Sequence, residues 1–230
     1  PGLLRAFMRK FNERFGAWTD SPIPPELLAD PETPRRARLV TRFGVLGSIF
    51  GINYAIFYLG IGHGGGPAFV LACSCGVIFT PYLMRWRKSV ELAANFLSMT
   101  LTLGFSGLCF VEGGIHGHAI AWLVSVPLCA LLLIGERAGS RWAVVAFAAA
   151  AVIAGLDLAG IKLPVGYDPR WTSIVSSAGY LGLVLFMLIL GLIFESVRAR
   201  ASAKMQEALA ELAASNERLV HLNNEKNEFL

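Results

Sequence analysis

Four side chains able to do acid–base or metal chemistry fall in two glycine-rich stretches of this 230-residue chain: His63 in "GHGGG", and Glu112, His116 and His118 in "CFVEGGIHGHAIAW". An extended backbone repeats every two residues, so on a strand-like loop His116 and His118 would point the same way. Two imidazoles with a carboxylate suit Zn2+ or Cu2+. On a helix the same spacing turns them apart. His-x-His also arises wherever loop histidines bond locally or cap a helix, so no metal is favoured, and His116 and His118 are the candidate ligands should one bind. Trp122 and Pro127 follow in "AWLVSVPLCALLL". Pro127 lacks a backbone donor and is expected to kink its helix, which makes it a hinge or a pocket wall. The candidate ligand or sensing residues are therefore Glu112, His116, His118, His63, Trp122 and Pro127.

Other chemistry is sparse. Cys73 and Cys75 lie about 200° apart around a helix, too far round to share one ion, and read with Cys109 and Cys129 as small buried side chains rather than a disulfide framework. Glu91, Glu195 and Asp157 sit at the ends of apolar runs, where snorkelling and pairing account for them, whereas a charge at midspan would mark an ion path. No phosphate-binding glycine loop, nucleophile elbow or HExxH occurs. The chain itself is expected to be catalytically silent, with no catalytic residue and no cofactor of its own.

The elements that must position these residues are apolar. With 55% hydrophobic and 16% charged residues, the chain departs from the roughly 25% charge of soluble domains and reads as a membrane protein. Six segments approach the ~20 helical residues that cross a bilayer: residues 43–61, 67–84, 90–110, 120–134, 142–159 and 173–194. The fourth is short. Of the 20 Lys and Arg, 18 lie in the termini and in the turns at 85–88 and 137–141, leaving Lys162 and Arg170 for the opposite side. The positive-inside rule then puts both termini in the cytoplasm. The basic net charge follows from topology, and no nucleic-acid partner is expected. The predicted fold is all-α, a polytopic membrane protein with six transmembrane helices. Residues 1–42 hold a cytoplasmic amphipathic helix, with Leu4, Phe7, Met8, Phe11, Phe15 and Trp18 on one face, and a proline-rich connector. That helix suits the inner headgroup plane and makes membrane lipids partners.

Residues 195–230 contain no Pro or Gly and continue the sixth helix. Met205, Leu209, Leu212, Asn216, Leu219 and Asn223 recur in steps of four and three, a heptad seam that predicts a two-stranded coiled coil and hence a homodimer. Asn at two seam positions fixes register. The closing "ERLVHLNNEKNEFL", above all residues 222–230, resembles the entry to the dimerisation and phosphoacceptor helix of bacterial sensor histidine kinases. The resemblance implies a phosphoacceptor histidine just past Leu230; His221 does not match it. A second resemblance covers residues 112–143. It is to the Thr-Gly-Gly-x-x-Ser-Pro…Trp…Pro-Leu…Gly-Arg pattern of six-span sensor modules that precede bacterial kinases and cyclases. Gly113, Gly114, Trp122, Pro127, Leu128 and Gly135 match; Glu112 replaces the Thr and Gly117-His118 the Ser-Pro. "ELLADPETPRRARLV" is similar to the lead-in of the same modules.

The resemblance implies the membrane input region of a two-component kinase in the bacterial cytoplasmic membrane. ATP and Mg2+ would serve the kinase core, and a cognate response regulator would be its partner in phosphorelay. The alternatives are the same module driving a nucleotide cyclase, and a small-molecule or lipid transporter. Against the transporter stand the missing midspan charges and the absence of an evident inverted repeat.

Overall fold

A computed structural model describes residues 21, 23–28 and 33–228, with side chains after Leu192 described at residues 195, 202–203, 205–213 and 215–216. The expected N-terminal amphipathic helix lies outside the described residues, and of the seam side chains so do Leu219 and Asn223. After a 3-10 turn at Pro25–Leu28 the chain forms α1 (Thr33–Gly60), α2 (Gly66–Arg87) and α3 (Val90–Cys109). A 3-10 stretch, His118–Val124, leads into α4 (Ser125–Leu133), followed by α5 (Glu136–Leu158) and α6 (Thr172–Glu228). No strand occurs among the described residues. The breaks follow side-chain chemistry. Lys88 takes a left-handed conformation, φ 50°, to close α2, and Ser89 then caps α3 by accepting the Leu92 N–H at 3.2 Å. Gly135, at φ 131°, makes the reversal between α4 and α5.

Among the described residues, five helices are long and apolar enough to cross a membrane: α1, α2, α3, α5 and the first part of α6. Their outward residues are apolar as well. Phe147 is 77% exposed, Leu158 88% and Leu181 69%, a surface that is costly in water and suited to lipid chains. α1 begins ten residues before the expected start at 43, and α5 six before 142, because the intervening arginines are compatible with helix. The fourth apolar element, His118–Leu133, is shorter than the rest. Its 3-10 part rises about 2.0 Å per residue instead of 1.5 Å, so the element reaches about 27 Å. Pro127 falls in the first turn of α4. It is the third residue of α4, just past the change from 3-10 to α winding at Ser125, so it stands at a change of helix type and not inside a continuous α-helix as expected.

α1, α2 and α3 pack through small residues. A Cβ on Gly44 would lie 3.1 Å from the Val77 carbonyl oxygen, one on Gly76 2.6 Å from Thr100 Cγ2, and one on Gly104 2.6 Å from Cys73 Sγ. Ser48 Oγ donates between the Gly44 and Ser74 carbonyls at 2.8 and 2.9 Å. Such close backbone approach gives attraction where lipid offers no hydrophobic drive. The four cysteines are free; Cys109 and Cys129 are buried as expected, whereas Cys73 is only half-buried and Cys75 is exposed, because its position two residues on turns it to the outer face of α2.

Contacts divide the chain into one compact unit up to Val184 and a second from Leu185. In the second, a single run of helix leaves Met205, Leu209 and Leu212 67%, 55% and 66% exposed, and Asn216 is exposed with them.

Gly44→Leu places a side chain against the Val77 backbone, which no rotamer change relieves. A loss of about 1–3 kcal/mol is expected, read as a lower thermal midpoint in detergent. Gly155→Leu, where a Cβ meets nothing within 4 Å, is the control.

Candidate functional site: a buried carboxylate among histidines and tyrosines

Three connecting segments meet at one end of the first unit. The Gly64 N–H donates to the Gly166 carbonyl at 2.6 Å, the Gly166 N–H to Val111 at 2.8 Å and the Gly113 N–H to Pro164 at 3.0 Å. These bonds pair Glu112 with Val165 in an isolated antiparallel bridge. Gly113 makes the turn out of this bridge at φ 84°, a conformation closed to most side chains. The bridge turns the Glu112 side chain inward, where the residue is only 2% exposed.

Around that carboxylate the structure gathers groups from three elements. Tyr58, on α1, donates its hydroxyl to Glu112 Oε1. His118 Nδ1 lies 3.1 Å from Glu112 Oε2, close but off the hydrogen-bond axis, so that neither atom has an aligned partner. The other nitrogen of His118, Nε2, meets the Tyr54 hydroxyl at 2.9 Å, and the Tyr54 and Tyr58 hydroxyls bond each other. The backbone N–H of Ala119 also donates to Glu112. His63 Nε2 stands 3.9 Å from Oε1, too far for a hydrogen bond, while its Nδ1 accepts the Gly66 N–H at 3.3 Å. The His63 ring fits because a Cβ on Gly66 or Gly166 would lie 2.9 or 2.6 Å from it.

Among the described residues, no Lys or Arg pairs with Glu112. Burial accordingly pushes its carboxyl up to about 7, against the Tyr58 hydroxyl and the Ala119 N–H, which favour the ionised form. Burial also lowers His63, and it raises Tyr167, helped there by the charge of Glu112. A buried acid poised near neutrality beside unfilled imidazole nitrogens is an arrangement for holding and moving a proton.

The sequence-derived candidates separate here. Glu112, His63 and His118 come together; His116 does not. A single extended residue, Gly117, separates the 3-10 turn Gly114–His116 from the second 3-10 stretch that starts at His118, so the two histidines do not lie on a strand-like run in which alternate side chains share a face. His116 is exposed, 3.4 Å from Asp157 Oδ1, the oxygen that also pairs with Lys162 at 3.1 Å. No group of three His, Cys, Asp or Glu suited to a metal ion occurs among the described residues. Trp122 is buried one turn beyond His118, its Nε1–H donating to the Gly179 carbonyl of α6 at 3.2 Å and its ring packed on Phe50 and Phe105. Pro127 lies in the next element and takes no part.

Tyr54 and Tyr58 were missed from sequence. Their signal is a spacing of four in "NYAIFYLG", which puts two hydroxyls on one face of an apolar helix. Gly179 was missed as well. His118 lies so close to α6 that a Cβ on Gly179 would fall 1.8 Å from its Cδ2.

Comparison of the chain with known protein families, with curated proteins and with solved structures gives no match. The class is set by the fold and the site: an all-helical protein with several helices apolar enough to cross a membrane, carrying a buried acid–base cluster at one end.

A carboxyl whose folded value is raised from 4.5 to about 7 binds more protons folded than unfolded across that window, so stability is greatest below it and is lost as pH rises through it. Glu112→Gln mimics the protonated acid. Thermal melts in detergent are expected to show the variant more stable than the parent at about pH 8 and equal to it near pH 4.5.

Proposed function

We propose that this chain is the transmembrane signal-input and dimerisation region of a two-component sensor histidine kinase, crossing a bacterial cytoplasmic membrane six times with both termini inside. Support for six crossings comes from the His118–Leu133 element, whose 3-10 winding extends it to near the ~30 Å of a hydrocarbon core. The distribution of Lys and Arg supports the orientation. On this reading the Glu112 cluster lies at the outer face.

One observation carries the reading: the residue that touches the buried cluster and the heptad seam belong to a single helix. Gly179, against His118 and bonded to Trp122, and Met205, Leu209, Leu212 and Asn216 all lie in α6 (Thr172–Glu228). Leucines left exposed at heptad spacing suit a second copy of the same helix. A stimulus at the cluster would favour one placement of α6, and the seam would pass that bias to the kinase helices, by no more than the stimulus's differential affinity for the two placements. Asn216 and Asn223 would hold register, favouring rotation or tilt over slip. The buried acid–base cluster favours one other reading, a small-molecule or lipid transporter, which predicts solute flux in liposomes; the receptor predicts none.

In the full-length protein, Leu212→Glu with Leu219→Glu is expected to convert crosslinked dimer to monomer and to abolish stimulus-dependent autophosphorylation. Unchanged dimer and output would overturn the coiled-coil route. Gly179→Ala is expected to leave the dimer intact and remove the stimulus response.

A further inference from the structure

Four side chains close a ring. Glu112 Oε1 accepts from Tyr58, the Tyr58 and Tyr54 hydroxyls bond each other, Tyr54 meets His118 Nε2, and His118 Nδ1 returns to Glu112 Oε2. Each of the four links needs one hydrogen. With Glu112 ionised and His118 neutral, the ring has three to share, one on each tyrosine and one on the imidazole. Three hydrogens fill three links; the fourth is left as two acceptors facing each other, and the buried ring carries a full negative charge.

One further proton corrects both defects. It completes the ring whether it rests on the carboxyl or on the imidazole, since in either case every oxygen and nitrogen then faces a donor or an acceptor of the right kind. It also brings the ring's net charge to zero, which removes the desolvation cost of an unpaired buried anion. The unfilled link is visible in the structure: Glu112 Oε2 and His118 Nδ1 are 3.1 Å apart, yet both lack an aligned hydrogen-bond partner and both are fully enclosed.

We propose that the Glu112–His118–Tyr54–Tyr58 ring is a proton-binding site that takes up a single proton and, in doing so, draws the His118 imidazole onto Glu112 and shifts its contact with Gly179 of α6. The proton comes from water at the end where the three connecting segments meet and returns to it, and no other covalent bond changes. The groups facing the ring are titratable but not cationic at neutral pH. His63 stands at 3.9 Å from the carboxylate. Cys109, at the end of α3, and Tyr167, before α6, both feel its charge. The Tyr180 ring of α6 lies 6.4 Å from that of His118. With no Lys or Arg among these groups, neutralisation falls to the proton. The imidazole has no slack on the α6 side, where a Cβ on Gly179 would meet Cδ2 at 1.8 Å, so a turn of the ring is felt by the helix backbone. The proton site stands on the ring alone; that it is the stimulus of a kinase rests on the function proposed above.

The test is nitrogen NMR of the chain labelled with 15N-histidine in phosphatidylcholine/phosphatidylglycerol nanodiscs, followed from about pH 5 to about pH 8. Expected is a one-proton step at His118, seen as imidazolium if the proton rests on the ring, or as a shift of Nδ1 on accepting a hydrogen bond, with the Nε2–H tautomer kept, if it rests on Glu112. Glu112→Gln abolishes the step. Tyr54→Phe, which removes two of the four links and one hydrogen, leaves two hydrogens for two links and so weakens proton affinity about tenfold. A His118 signal that is flat over this range, or that titrates alike in the parent and in Tyr54→Phe, overturns the site; the Tyr54→Phe comparison decides even if Glu112→Gln does not fold. In the full-length protein, autophosphorylation that follows the same step supports both site and function. A step in the NMR without any change of output keeps the site and removes the kinase-input reading.

Discussion

Everything at the connecting-segment end of this protein is organised by one carboxylate taken out of water. An isolated carboxylate in a low-dielectric interior is unfavourable by several kcal/mol or more, and the surrounding elements are placed where they offset it. α1 contributes Tyr58 directly and Tyr54 through the hydroxyl chain. The start of the 3-10 stretch supplies the Ala119 N–H and the His118 imidazole together, because the first amides of any helix lack partners within it. The bridge to Val165 holds the Glu112 backbone so that its side chain has no route back to solvent.

The same constraint explains the glycines around the site. His63 and His118 are bulky groups wedged against backbone, His63 between Gly66 and Gly166 and His118 against Gly179. In a membrane protein such contacts are made by removing side chains, since tight packing and internal hydrogen bonds provide the attraction that hydrophobic burial provides in water. The small-residue contacts of Gly44, Gly76 and Gly104 along α1, α2 and α3 follow the same rule deeper in the helices, so the site rests on a closely packed support. Trp122 ties that support to α6 through its bond to the Gly179 carbonyl, one residue of α6 receiving both the indole donor and the imidazole edge.

Much of the fold was legible in the sequence. Long apolar runs bounded by Arg, Gly and Pro located the helices, and the ends of α3 were placed within a residue, because Ser89 caps its start and the Gly113-Gly114 pair prevents its extension. The start of α1 was misplaced: "PRRARLV" is charged yet strongly helix-forming, and hydropathy marks where a helix enters lipid rather than where it begins. The fourth element was legible only as too short. Apolar composition does not distinguish 3-10 from α winding, and Pro127 was open to reading as a kink because the change of winding just before it leaves no mark in composition.

The site was half legible. Glu112, His63 and His118 stood out because ionisable residues are rare in such a chain, and residue type alone determined that the chemistry would be acid–base or metal-ligating. Composition likewise determined a helical chain made for an apolar surrounding. Which histidine joins the carboxylate was decided only in three dimensions. His116 and His118 differ by two positions, and the hydrogen bonds that bring residues 61–66, 111–117 and 164–167 together place one in solvent beside Asp157 and bury the other. The pairing of Tyr54 and Tyr58 with Glu112 is likewise a product of tertiary structure. Periodicity reports which residues share a face, but what that face meets depends on chain segments more than fifty residues away.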